Sequence, residues 1–232
     1  MRILLRMLGI ILILSAVVLF FWQDIREHFT EKINDRIIEA YHNGDTSVDI
    51  GPVESIITGI DPDEADYTAG ESSNDTSEQD TDSETAESPQ PGINIGEGMV
   101  GVLKIESAGI NEPVFSGPVT EEKLRNGVSF VNDADHLDMQ NIPIAGHRVE
   151  GAGIRFNYLD RASVGDTVEF ITKDETRLYE ITDIFDVNPS QVEVMNQHAG
   201  EPQQLTLITC EDYNPETLLF EKRMIVKATI VE

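Results

Sequence analysis

Leu205-Thr206-Leu207-Ile208-Thr209-Cys210 is an apolar, β-branched run that ends on the one cysteine of the 232-residue chain. Such residues pack well on a pleated surface, so the run reads as a strand with the thiol at its end. A single cysteine has no intrachain partner. It is either an inert buried group or a nucleophile, and its place at a strand terminus beside a loop favours the second reading. An ordinary thiol is only a few per cent ionised at neutral pH, so a reactive one needs a cation or a base close by.

Outward from this run, Met99 to Ile105, Thr167 to Thr172, Arg177 to Val187 and Met224 to Val231 also read as strands separated by turns. Short helices fit Thr120 to Asn126, Ile154 to Arg161 and Ser190 to Asn196, the first with Thr120 as its cap. No internal repeat is visible. Many short strands without long intervening helices exclude bundles and parallel sheets. They predict an all-β domain over residues 93–232, closed or nearly closed into a barrel.

Two other residues stand where they could serve the thiol. His147 follows the apolar run Ile142-Pro143-Ile144-Ala145-Gly146 and so ends another strand, whereas His28, His42, His136 and His198 lie in polar or membrane-proximal surroundings. Arg223 opens the last strand. If Glu211 to Leu219 folds back as a hairpin, that strand is the antiparallel neighbour of the cysteine strand, and a guanidinium arrives near the thiol. On spacing alone, a structural histidine and a surface arginine remain open alternatives.

The N-terminal part has a different texture. Ile3 to Trp22 is apolar apart from Arg6, Gly9 and Ser15, long enough at about 1.5 Å per residue to cross a bilayer core. Arg2 and Arg6 sit at its start and Asp24 and Glu27 follow it, so an anchor over 1–23 with a cytoplasmic N-terminus is expected. Bulky Phe20, Phe21 and Trp22 stand where a cleavable signal would carry small residues. Ile25, Phe29, Ile33 and Ile37 recur at helical spacing and predict a juxtamembrane helix over 24–40, read as a spacer. Residues 41–92, almost wholly polar from Glu71 to Gln90, are expected to be a disordered acidic tether with ends roughly 40 Å apart. The net charge of −27 and the absence of a basic stripe exclude a nucleic-acid partner.

Three motifs in order, Ala145-Gly146-His147, Thr206-Leu207-Ile208-Thr209-Cys210 and the arginine opening the terminal strand, resemble those of sortases, the cysteine transpeptidases of Gram-positive cell walls. The class A enzymes are the most similar. Gly127-Val128-Ser129-Phe130 and Cys210-Glu211-Asp212-Tyr213-Asn214 agree as well, and the resemblance runs from about residue 99 to the end. It implies an eight-stranded β-barrel in which Cys210 attacks the Thr–Gly bond of an LPXTG-type signal on a surface protein and forms a thioacyl enzyme. His147 would protonate the leaving amine and deprotonate the incoming one, which belongs to the peptidoglycan precursor lipid II. Arg223 would hold the substrate backbone and the oxyanion. Ala145 would leave room beside His147, and Thr209 would position the acyl oxygen through its backbone or hydroxyl. Val192, Val194 and Met195 would form the apolar groove.

One departure concerns calcium, which some class A enzymes bind. Asp133, Asp135 and Asp138 are present, but Asn132, Met139 and Gln197 stand at positions where oxygen-rich ligands would be needed, so no cofactor is expected. One thiol and scattered histidines give no zinc cluster either. The competing readings are a non-catalytic binding module with a buried cysteine and a hydrolytic cysteine peptidase.

Overall fold

The architecture follows from strands that each carry one apolar face and need a common interior. A computed structural model describes residues 2–60, 92–96, 98–148 and 154–231, without the side chains of residues 2–5. In chain order come helix α1 (Arg2–Phe20), helix α2 (Trp22–Asn43), strand β1 (Ser47–Asp49), helix α3 (Pro52–Thr58) and strand β2 (Gly92–Asn94). There follow β3 (Met99–Ile105), β4 (Ile110–Phe115), helix α4 (Glu121–Asn126), β5 (Val128–Phe130), β6 (Asn141–Ala145), β7 (Thr167–Ile171), β8 (Thr176–Val187), β9 (Gln204–Asn214) and β10 (Leu219–Ile230).

Strands β3 to β10 form a closed barrel in the order β10-β8-β7-β3-β4-β5-β6-β9, with β9 returning to β10. This is the eight-stranded barrel expected from the resemblance. Pairing is antiparallel except at β4–β5 and β6–β9, which are parallel. The interior is filled by Leu103, Val114, Phe130, Ile142, Ile144, Phe170, Tyr179, Leu205, Leu207 and Val226 among others. The strand β3 has the expected bounds, while β9 and β10 run on past Cys210 and before Arg223 as a long hairpin. Thr120 caps α4 as expected, its Oγ1 accepting from the Lys123 N–H at 3.3 Å.

The N-terminal region differs from the expectation of a spacer and a tether. Ile33, Ile37, Ala40 and Tyr41 of α2 are buried, together with Val48, Ile50, Ile60, Ile93 and Ile95, against Met99, Val102 and Phe115 of the barrel. Each fully buried Ile stabilises this docking by about 2 kcal/mol. Tyr41 adds a hydrogen bond to the Val100 carbonyl at 3.0 Å. Residues 41–60 are therefore structured, because their scattered isoleucines complete a second core. Strands β1 and β2 pair antiparallel with Asp49 opposite Gly92, and Ile60 and Ile93, on either side of residues 61–91, are buried in the same core. The rest of the expected linker, residues 61–91, lies outside the described residues. Among the described residues no single helix is long and apolar enough to cross a membrane; Arg6–Phe20 and Trp22–Asn43 meet that criterion only as a pair, by length and composition, across a bend of 57°.

A buried ion pair locks α2 to the barrel. Arg155 and Glu112 are both fully buried and paired through Nη1 and Oε2. The same guanidinium donates to Asn34 Oδ1 of α2 at 2.9 Å and to the Arg125 carbonyl of α4. Removing one partner of a buried pair strands the other charge. Glu112→Ala is expected to lower the unfolding free energy by about 3–5 kcal/mol, read as a lower urea midpoint at unchanged slope.

Candidate active site

Strand β9 is flanked by β6 on one side and β10 on the other, and the two registers decide what meets at its end. On one side Ala145 pairs with Ile208, and the Gly146 N–H extends the contact to the Ile208 carbonyl at 3.1 Å. The pairing ends there, with His147 two residues past Ala145 and Cys210 two residues past Ile208. On the other side Cys210 pairs directly with Arg223. Neighbouring strands lie about 4.8 Å apart, so the backbones of Cys210 and Arg223 adjoin directly.

Alternation sets which way the thiol faces. Leu205 and Leu207 belong to the barrel core, so Cys210, of opposite parity, lies on the outer face. It is half-buried rather than sealed. Arg223, directly opposite, shares that face. Its Nη1 donates to the Lys222 and Phe220 carbonyls at 2.9 and 3.4 Å, so the guanidinium lies along its own strand. Thr209 is buried with the core parity, and its Oγ1 donates to the Gly146 carbonyl at 2.8 Å. Its hydroxyl is thus turned inward and tied to the residue before His147.

The histidine loop depends on Gly146. A Cβ there would lie 2.5 Å from Phe156 Cδ2 and 2.9 Å from Val128 Cγ1, distances that real side chains do not occupy. The Phe156 N–H donates to the His147 carbonyl at 3.0 Å and fixes the other side of the loop. His147 Nε2 lies 3.3 Å from Glu121 Oε1 of α4. Ala145 is half-buried at the end of β6.

A cavity of about 600 Å³ opens beside Cys210, walled by Arg148, Tyr158, Tyr213, Phe220 and Gln23 of α2. Arg148 is paired with Glu211 and, at 3.2 Å, with Asp160. Tyr158 donates to Glu27 Oε1 of α2 at 2.6 Å, and this bond to a carboxylate, with burial, pushes the phenol's pKa up. The imidazole of His147 lines a different cavity of about 210 Å³. Sulfur and imidazole therefore stand at adjoining strand ends but open into separate hollows.

Val192, Val194 and Met195 lie on one 3-10 turn, with Val192 60 % exposed and the other two half-buried. None of the three lines the Cys210 cavity among the described residues. What holds their turn is Asn141, a fully buried residue that the sequence reading passed over. Its Nδ2 donates to the Val194 and Asn196 carbonyls at 3.0 Å each, and its Oδ1 accepts from Thr206 at 2.7 Å. Gln197 completes the clasp, accepting from the Asn141 N–H at 3.0 Å and donating to its carbonyl at 2.7 Å. Asn141 was hidden because it opens an apolar run. Glu121 was hidden among many acids, and the one cue to Arg148 was its place next to His147.

The calcium question turns on the same loops. Asp135 accepts from the Asn132 N–H at 2.7 Å and from Asn132 Nδ2, and Met139 offers a sulfur to the His136 N–H at 3.4 Å. Among the described residues no three acidic, histidine or cysteine side chains gather at one point. With Gln197 bonded to Asn141, these donors do not fit a calcium ion's demand for six to eight oxygens.

A family model described as a sortase domain matches residues 103–231. Over 135 residues the chain is 45% identical to Sortase A of Staphylococcus aureus, covering 58% of this chain and 66% of that protein. It is 26% identical over 133 residues to Sortase A of Bacillus anthracis, covering 57% of this chain and 60% of that one. The match thus spans slightly less than two thirds of these relatives. The solved structure of a Clostridium perfringens Sortase D5 transpeptidase agrees with TM-score 0.50 and 28% identity over 59% of this chain and 81% of that one. Listeria monocytogenes sortase A agrees with TM-score 0.52 at 22% identity, over 59% of this chain and 89% of that one, a likeness of fold alone.

The Asn141 clasp makes a measurable claim. Asn141→Ala leaves two carbonyls and a hydroxyl without their partner and is expected to cost about 2–3 kcal/mol of stability. Amide exchange should accelerate at residues 194–197 more than in β3 or β7 if the side chain holds that turn.

Proposed function

The chain belongs to the sortase family, and on that premise we propose that it is a cysteine transpeptidase acting on surface proteins that bear an LPXTG-type signal. What supports this reading is the pairing of Cys210 with Arg223 across β9 and β10, with the His147 loop leaving the end of β6 on the other side of β9 and an open cavity beside the thiol. The Cys210 sulfur attacks the threonine carbonyl carbon, the C–N bond to glycine breaks, and His147 gives its proton to the leaving amine. An amine of a peptidoglycan precursor then attacks the thioester, its proton passes to His147, and the sulfur leaves as thiolate. Arg223, once it swings from the Lys222 and Phe220 carbonyls, donates to the oxyanion of both tetrahedral states.

The apolar stretch 1–23, which runs from α1 across the bend into the start of α2, is the proposed membrane anchor, with its N-terminus cytoplasmic and the barrel outside. Lipid-linked acceptor and membrane-held donor then share a surface with the enzyme, and confinement raises their encounter rate. The juxtamembrane assignment of α2 is kept, with docking on the barrel in place of a spacer's role.

Mass spectrometry of the chain mixed with a sorting-signal peptide should find a thioacyl adduct on Cys210, absent in Cys210→Ala. His147→Ala is expected to lower turnover by about 10²–10⁴-fold and Arg223→Ala by about 10²–10³-fold. A product that is hydrolysed even with excess amine would replace transfer by peptidase action. Calcium at millimolar concentration should leave the rate within about twofold, since the loop donors do not fit it; a several-fold stimulation would contradict this.

A further inference from the structure

The hairpin that joins β9 to β10 carries an apolar tip that the mechanism does not use. Leu218 and Leu219 are 70 % and 64 % exposed, and Tyr213 beside them is exposed as well. Large apolar side chains gathered on one surface mark a place that something apolar covers. The turn that presents them is well bonded. Asn214 Oδ1 accepts from the Glu216 N–H at 2.8 Å, and the Leu218 N–H donates to the Asn214 carbonyl at 2.8 Å. Closing this turn puts Leu218 at a φ of 57°, in the left-handed region that glycine fills without a steric cost. A leucine there is strained and exposed at once, which points to a partner outside the barrel.

The far wall of the Cys210 cavity identifies that partner. Tyr213 and Phe220, with ring centroids 5.2 Å apart, form one part of the wall, and Gln23 stands in the wall of the same cavity. Gln23 directly follows Phe20, Phe21 and Trp22, all exposed, in the apolar stretch read above as the anchor. Hairpin and anchor end are therefore separated by no more than the width of one cavity. Aromatic rings collect at the level of lipid headgroups, and leucines beside them reach the acyl boundary. Charge excludes a contact driven by anionic headgroups, since Glu211, Asp212, Glu216 and Glu221 outnumber Lys222 and Arg223 along the hairpin. We infer that the β9–β10 tip is a second membrane contact, in which Leu218 and Leu219 enter the bilayer interface and hold the mouth of the Cys210 cavity against it. The assignment rests on the reading of residues 1–23 as the anchor. Its consequence is a choice of substrate: a sorting signal still held in the membrane reaches the thiol along the lipid surface, whereas a soluble peptide gains nothing from the contact.

The test uses the full chain in phosphatidylcholine vesicles. Trp22 is the one tryptophan, so quenching of its fluorescence by brominated acyl chains reports the anchor without a label. For the hairpin, Cys210→Ala is combined with Leu219→Cys. The reference combines it with Asp174→Cys in the turn between β7 and β8, at the opposite end of β8 from the residue that pairs with Arg223. Each introduced thiol carries a nitrobenzoxadiazole dye, and its quenching by nitroxide-bearing lipid is read. The dye at position 219 should be quenched about threefold more than the dye at position 174. In the otherwise unaltered chain, Leu218→Ser with Leu219→Ser should lower turnover of a lipid-tethered sorting-signal peptide by about fivefold and leave that of the soluble peptide within about twofold. Quenching at 219 no greater than at 174 overturns the inference. Equal loss of turnover with both peptides also overturns it and assigns the leucines to peptide binding. If Trp22 is unquenched while the dye at 219 is quenched, the anchor reading falls and the hairpin contact stands; the reverse result removes the hairpin contact alone, and quenching at neither removes both.

Discussion

Strand β9 pairs in opposite senses with its two neighbours, and this mixed ladder determines where chemistry can occur. Parallel to β6, it shares an end with the histidine loop. Antiparallel to β10, it sets Cys210 against Arg223, the second cation of the closing strand. A slip of one residue in either pairing would turn Cys210 into the packed interior or carry His147 past it. The register is protected by the apolar residues behind it, since Leu205, Leu207, Ile142, Ile144 and Val226 are buried only in this alignment.

Helix α2 links this rim to the rest of the molecule. It supplies Gln23 to the wall of one cavity and Arg26 to the other, and Glu27 accepts the Tyr158 hydroxyl. Deeper in, Arg155 touches α2 through Asn34, β4 through Glu112 and α4 through the Arg125 carbonyl. Arg155 precedes Phe156, whose N–H fixes the His147 carbonyl. A single buried guanidinium thus connects the docking of the N-terminal helix with the loop that carries the imidazole. Its positive φ of 36° shows that the backbone accepts an unfavourable conformation to place it there.

Much of the barrel was legible in the sequence because its strands advertise themselves. The bounds of β3, the cap on α4 and the hairpin after Cys210 all follow from local residue chemistry. The parallel contact of β6 with β9 was not legible, since partners 63 positions apart leave no local trace. The same limit hid the Asn141 clasp and the neighbourhood of Glu121. The reading of residues 41–60 as a tether failed for a different reason. Composition averages hid Val48, Ile50 and Ile60, a few apolar residues among many polar ones that suffice to complete a core already begun by α2.

Ile60 and Ile93, on either side of residues 61–91, are buried in one core, so the described chain stops and resumes against the same flank of the barrel. With α2 held against the barrel by that core, the direction in which α1 leaves the molecule is set by the 57° bend after Phe20.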